Sequence, residues 1–221
     1  MNIALVLFDL DGTLVETAPE IRDALNDTLR EMGLPPAPLA KVEAWIGHGT
    51  GTLLLRALSD ATGLEPEVLR ASALWHTAEP LFALRYARHC GTGSRLYPGA
   101  RELLRALAAR GVRRALVTNK EQRFALPLLR QHDLQPLLDR VVCGDTLPRR
   151  KPDPAGVFDC LRWSGVAANE AVFVGDSAID VETARNAGVR AWALAHGYNG
   201  GRPIASARPD RVLLRLEDVL G

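Results

Sequence analysis

Hydrophobic residues along the chain gather in short continuous runs: Ile3–Phe8, Arg114–Thr118, Arg140–Cys143, Ala171–Val174 and Arg190–Leu194, with a further run at Arg211–Leu214. Continuous rather than alternating patterning is expected of strands buried on both faces. Between most of these runs the period changes to that of a helix. The clearest case is Ala100–Arg110, where Leu103, Leu104 and Leu107 form one apolar face and Gly111 stands just past the end, where a left-handed residue closes a helix. Strands alternating with helices predict right-handed crossovers and an open parallel α/β sheet with helices on both faces.

The segment from Ala18 to Leu96 breaks this rhythm. Helical patterning covers Ile21–Met32, Leu53–Ala61 and Pro66–His89, with loops at GLPPAPL and GHGTG and no strand expected. Such a stretch is too long for an ordinary crossover. It reads as a helical subdomain inserted after the first strand, over 16–96, with hinges near Glu16–Pro19 and Leu96–Gly99; the α/β core is then 1–15 plus 97–221. No internal repeat or low-complexity segment interrupts the chain.

Polar residues of a few types stand at the ends of the strands, where open α/β sheets bind ligands. Asp9 and Asp11 close the first strand in VLFDLDGTLVET, and Thr118 and Asn119 close the second. Asp176 and Ser177 end AVFVGD, and Lys151 follows the third strand in RRKPDP. Singly, an Asp caps helices, Thr-Asn makes turns and a Lys is solvated. Their joint placement on one sheet edge points to a site.

The spacing suggests a chemistry. Residues two apart in an extended segment point the same way, about 6–7 Å from one another. Asp9 can attack phosphorus and become an aspartyl phosphate, while Asp11 protonates the departing alkoxide and then activates water. Two carboxylates beside a phosphate dianion call for a hard cation, and Mg²⁺ suits oxygen ligands of this kind. Asp176 is the natural further ligand. Asp180, one helical turn later, serves as a direct ligand, as a group behind the ligands, or only as the partner of Lys151. Lys151, Thr118 and backbone amides around Gly12, Thr13 and Asn119 are expected to hold the phosphoryl oxygens.

Composition adds limits. The 221 residues allow one domain with a large insertion or two small ones, and the formal net charge of +1 suggests neither nucleic acid nor an anionic membrane as partner. No apolar run approaches the roughly 20 residues of a membrane span, and no signal-peptide pattern opens the sequence. Cys90, Cys143 and Cys160 are odd in number, far apart and without metal-type spacing, as expected of reduced thiols in a cytoplasmic protein. Lysine occurs only at Lys41, Lys120 and Lys151 among many arginines, so each lysine is a candidate for a place that needs a compact ammonium.

DLDGT (Asp9–Thr13), Thr118 after a buried strand, Lys151 in KPDP and GDSxxD (Asp176–Asp180) resemble the four motifs of the haloacid dehalogenase superfamily, in order and across the whole chain. The resemblance implies a Rossmann-like core with a mobile α-helical cap, Asp9 as nucleophile, Asp11 as acid and base, and Mg²⁺ on Asp9, the Asp11 backbone carbonyl and Asp176. Dehalogenases and phosphonate hydrolases of that superfamily lack a carboxylate where this chain has Asp11, so the resemblance implies phosphoryl transfer, most commonly hydrolysis.

WIGHGTGTLLLRAL, SRLYPG, VTNK, GDTLPRRKPDP and HGYNGGRPI are similar to bacterial phosphoglycolate phosphatases. A small phosphorylated metabolite is therefore the expected partner, with the chain a monomer or homodimer. Gly47–Thr50 precedes a helix, whose first amides favour an anion, and Arg56 lies along it; His48 and Arg56 are candidates for holding a substrate carboxylate. The bland alternative is an ordinary loop in which Thr50 caps the helix. Glu16 stands where relatives commonly carry Asp, at the hinge, and Ile179 where they often carry Asn. Rival readings are a related phosphatase for a sugar phosphate, pyridoxal phosphate, nucleotide or pyrophosphate, a phosphomutase, and a non-catalytic phosphate-binding protein.

Overall fold

The computed structural model describes residues 3–221. The chain enters through β1 (Leu5–Phe8) and a short strand β2 (Val15–Glu16), then passes through α1 (Ala18–Glu31), α2 (Leu39–Trp45), α3 (Thr50–Thr62), α4 (Pro66–Arg70) and α5 (Ala73–His89). It returns through β3 (Arg95–Leu96) to α6 (Ala100–Ala109), β4 (Arg113–Val117), α7 (Gln122–Gln131) and β5 (Arg140–Val142). The remainder is α8 (Ala155–Ser164), β6 (Ala171–Gly175), α9 (Ala178–Ala187), β7 (Arg190–Leu194) and β8 (Arg211–Leu213).

Six strands form one parallel sheet in the order β5-β4-β1-β6-β7-β8. The continuous apolar runs serve two layers at once. Val6 and Phe8 of β1, with Val172 and Val174 of β6, enter the core shared with α6 and α7. Leu5, Leu7, Ala171 and Phe173 enter the core on the opposite face, with α8 and α9. β1 lies between β4 and β6, at the place where strand order reverses, which opens a crevice at its carboxyl end.

The inserted segment has its own apolar cluster. Leu25 and Leu29 of α1, Leu54 and Leu58 of α3, and Phe82 and Tyr86 of α5 meet there, joined by Phe124 of α7 and Tyr198 from the loop after β7. Three features differ from the sequence reading. Val15–Glu16 pairs antiparallel with Arg95–Leu96, a two-stranded ribbon that meets the expected hinges at Glu16 and Leu96, and Arg95–Leu96 lies in the segment where no strand was expected. A helix over Leu39–Trp45 was not anticipated. The expected helix Pro66–His89 is two helices, because the Ser72 side chain accepts the Trp75 amide and starts α5 anew. Gly111 adopts the expected left-handed conformation, φ +71°, after α6.

Candidate active site

β1 ends at Phe8, and Asp9 continues its line by donating its amide to the Val174 carbonyl of β6 at 3.0 Å. The chain then turns tightly: the Gly12 amide donates to Val15 O at 2.9 Å and the Thr13 amide to Leu10 O at 3.3 Å. Gly12 has φ +88°, and a Cβ there would collide with the Asp176 carboxylate. Only glycine meets both demands. The expectation that the Gly12 and Thr13 amides face a phosphate is corrected, since both close the turn. Thr13 acts instead through its hydroxyl, which donates to Asp176 Oδ1 at 2.6 Å.

Asp9, Asp176 and Asp180 are all buried, with carboxylate oxygens within 4.8 Å of one another. Lys151 Nζ stands 2.7 Å from Asp9 Oδ1 and 2.7 Å from Asp180 Oδ1. The lysine thus bridges the two carboxylates as an ion pair with each. Asp180 Oδ2 accepts the Asp176 amide at 3.2 Å, the Ser177 amide at 3.0 Å and the Ser177 hydroxyl at 2.6 Å, the Ser177 amide bond being one half of the capping box that starts α9. Both Asp180 oxygens are engaged, Oδ1 by Lys151 and Oδ2 by the Asp176 and Ser177 amides and the Ser177 hydroxyl. Asp176 is held by Thr13 and by the Tyr198 amide at 2.5 Å.

One lysine among three buried carboxylates leaves negative charge uncompensated. Burial pushes the Asp9 carboxyl up to about 6, against the pull of Lys151 and with a further push from Asp180. Burial, then Asp180 and Asp9, hold Asp176 well above the usual carboxylate range. Burial disfavours the Lys151 ammonium, but Asp180 and Asp9 outweigh it and raise its affinity for the proton. A buried, oxygen-only, anion-rich set of this kind fits a small hard cation such as Mg²⁺.

Asp9, Asp11, Thr118 and Asn119 line one cavity, closed from above by Ile21, Ile46, Leu53 and Tyr86 of the inserted segment. The Thr118 hydroxyl accepts the Lys120 amide at 3.2 Å. The Asn119 side chain donates to Gly47 O at 2.9 Å and to Lys151 O at 3.0 Å, tying the GHGTG loop to the core. Asp11 Oδ1 accepts from Thr17 Oγ1 at 2.7 Å and from Lys120 Nζ at 2.8 Å.

His48 and Arg56 are not in this cavity. They line a second opening with Ser177, Asn199 and Arg202, across Ile46. Gly49, not Thr50, caps α3, and Thr50 Oγ1 donates to Glu121 Oε1 at 2.7 Å. The reading of the sequence did not place Lys120, Tyr86 or Tyr198. Of these, Lys120 carried a signal in the scarcity of lysine. Tyr198 lays its hydroxyl against the Thr17 and Ala18 amides, at 3.0 and 2.9 Å, at the start of α1.

Residues 6–194 match the family model described as haloacid dehalogenase-like hydrolase. The chain belongs to that family. It is a phosphatase of the haloacid dehalogenase-like hydrolases, as its curated relatives are. A phosphoglycolate phosphatase of Pseudomonas savastanoi pv. phaseolicola is 43% identical over 213 residues, 95% of this chain and 75% of that protein. Phosphoglycolate phosphatase 1 of Pseudomonas aeruginosa is 43% identical over 220 residues, covering 98% of this chain and 78% of the relative. A crystal structure from Haemophilus somnus, described as a predicted phosphoglycolate phosphatase, superposes with a TM-score of 0.92 at 33% identity, covering 100% of this chain and 97% of that one. Among the described residues, no helix of this haloacid dehalogenase-like hydrolase is long and apolar enough to cross a membrane.

Proposed function

We propose that this enzyme hydrolyses 2-phosphoglycolate to glycolate and phosphate through an aspartyl phosphate on Asp9. The observation behind the chemistry is that Asp9 and Asp11 line one buried cavity while Lys151 neutralises the nucleophile's side. The substrate follows the relatives named above, and a small occupant suits a cavity roofed by Ile21, Ile46, Leu53 and Tyr86.

In this reading Mg²⁺ is held by Asp9, Asp176 and the Asp11 backbone carbonyl, and it supplies compensation for the charge gathered on phosphate and carboxylates. An Asp9 oxygen attacks phosphorus as the bond to the glycolate oxygen breaks, and the Asp11 carboxyl gives that oxygen a proton. Asp11, now a carboxylate, takes a proton from the water that attacks the phosphorus of phospho-Asp9. Lys151 holds Asp9 in place and offsets charge on the transferring group. Thr118 and Asn119 border that group, and Asn119 also fixes the GHGTG loop. The helical segment 16–96 is the cap of this arrangement, shutting water out while the phosphoryl group moves. The chain works in the cytoplasm as a monomer or homodimer, without nucleic acid or membrane.

The test is phosphate release from 2-phosphoglycolate, sugar phosphates, nucleotides and pyridoxal phosphate, each with Mg²⁺ and with chelator. The highest kcat/KM is expected for 2-phosphoglycolate with Mg²⁺. A higher value for another phosphomonoester removes the substrate assignment, and no release from any removes the mechanism.

A further inference from the structure

Three lysines occur in a chain whose other basic residues are arginines. Lys151 belongs to the carboxylate cluster, and Lys41 pairs with Asp60 at 2.7 Å on the exposed face of the helical segment. Lys120 is buried, with its side chain 2% exposed, and it lines the active cavity. A buried ammonium is costly unless its protons are taken up. Here they have two acceptors: Asp11 Oδ1 at 2.8 Å and the Tyr86 hydroxyl, to which Lys120 donates.

Neither acceptor is loosely held. Tyr86 is fully buried in α5, stacked on Phe82 at 5.8 Å between ring centroids and tilted against Phe124 of α7 at 4.6 Å. The ammonium also lies 4.9 Å from the Tyr86 ring centroid. The Lys120 amide is fixed by the Thr118 hydroxyl, and its carbonyl accepts the Gly144 amide at 2.9 Å. The side chain is therefore anchored at both ends. Its tip carries a preformed pair of bonds that a planar guanidinium could not reproduce in the same space.

The consequence falls on Asp11. Two donors, Lys120 Nζ and Thr17 Oγ1, converge on Oδ1, and no described protein group bonds Oδ2. A carboxyl group gripped by one oxygen has its plane fixed and presents the other oxygen to whatever occupies the cavity. We propose that Lys120 is the positioning residue of the acid, holding Asp11 by Oδ1 so that Oδ2 delivers the proton, with Tyr86 setting where the ammonium stands. The inference rests on the reading of Asp11 as general acid. In that step the Asp9–phosphorus bond forms, the bond from phosphorus to the alkyl oxygen breaks, and the Oδ2 proton passes to that oxygen. Lys120 keeps its own protons throughout.

An acid matters in proportion to how badly the leaving group needs a proton, which separates positioning of Asp11 from general support of the fold. Two small substrates make the comparison: 2-phosphoglycolate, or whichever alkyl phosphomonoester the wild type turns over fastest, and acetyl phosphate, whose acetate leaves unprotonated. kcat/KM is read because it covers the steps up to leaving-group departure. For Lys120→Met the loss on the alkyl substrate is expected to exceed the loss on acetyl phosphate by about tenfold or more, part of the roughly 10²–10⁴ that a positioned acid supplies. Tyr86→Phe is expected to show the same inequality at a few-fold.

Asp11→Asn is the control and is expected to show the largest inequality. Equal losses on both substrates for Lys120→Met, with an unequal pair for Asp11→Asn, overturn the role of Lys120 and leave the acid standing. Equal losses for Asp11→Asn overturn the acid reading itself. Should Lys120→Met lose its cooperative thermal transition, Tyr86→Phe decides: an unequal loss supports the proposal, and equal or absent losses overturn it.

Discussion

Lys151 and Asp180 form a buried ion pair at 2.7 Å, with side chains 3% and 2% exposed, and the other Asp180 oxygen is taken up by three donors of the Asp176–Ser177 segment. Asp180 therefore works on the site through other groups, keeping the lysine against Asp9 and the strand end in place.

Removing one partner of such a pair strands the other charge, which costs about 3–5 kcal/mol. Asp180→Asn is expected to lower unfolding stability by about 3 kcal/mol in urea titrations. It is expected to weaken Mg²⁺ binding by no more than about tenfold, the low end for a group behind the ligands. Asp176→Asn, measured by the same calorimetric titration, is expected to weaken it far more. The reverse order contradicts the assignment of Asp180 as a partner of Lys151.

Gly12 offers a backbone test. At φ +88°, with Asp176 and Tyr198 occupying the space of a Cβ, Gly12→Ala meets both strain and collision. The strain alone is worth about 1–3 kcal/mol. Loss of stability on that scale is expected in chemical denaturation, together with a large fall in kcat/KM because the displaced group is Asp176. An alanine variant with wild-type turnover contradicts the close packing of this turn.

The pH dependence follows from Asp9, whose carboxyl is raised to about 6 by burial. A raised folded value means that the protonated form is favoured on folding. The associated stability is fully present below the ordinary value of 3.8 and is lost as pH rises through about 6. On the proposed function, Mg²⁺ would replace the proton as the compensating charge. The stabilisation by Mg²⁺ in thermal melts, with chelator as reference, is therefore expected to grow from pH 5 to pH 7.5. A Mg²⁺ effect that is flat or shrinks over that range contradicts this account of the cluster.

His48 and Arg56 line an opening apart from Asp9 and Asp11. Substituting either with alanine is expected to change kcat/KM on 2-phosphoglycolate by less than about threefold, under 1 kcal/mol of barrier. Steady-state kinetics on the two variants check this, and a loss beyond tenfold returns them to the substrate's neighbourhood.

The α/β sheet was legible because β1 and β6 are buried on both faces, which forces continuous apolar runs. Asp9 and Asp176 could be singled out because both directly follow such runs, and strands β1 and β6 that carry them are neighbours in the sheet. The ribbon of Val15–Glu16 with Arg95–Leu96 was not legible, since two residues per strand leave no periodicity. The break before α5 hinged on a single hydroxyl, that of Ser72. Lys120 showed only as a rare lysine, because what defines it, the meeting of Asp11 with Tyr86 of α5, joins residues far apart in the chain. That His48 and Arg56 line a separate opening was not legible, because the start of α3 could be read from the sequence while the Asn119–Gly47 bond that ties down its loop could not.

The central claim is that Asp9 takes the phosphoryl group. Rapid acid quenching of the enzyme during turnover of ³²P-labelled 2-phosphoglycolate, followed by peptide mapping, tests it most directly. The account predicts hydroxylamine-labile label on the peptide bearing Asp9, absent in Asp9→Asn. Turnover with no label on that peptide under trapping conditions, or label on another residue, contradicts it.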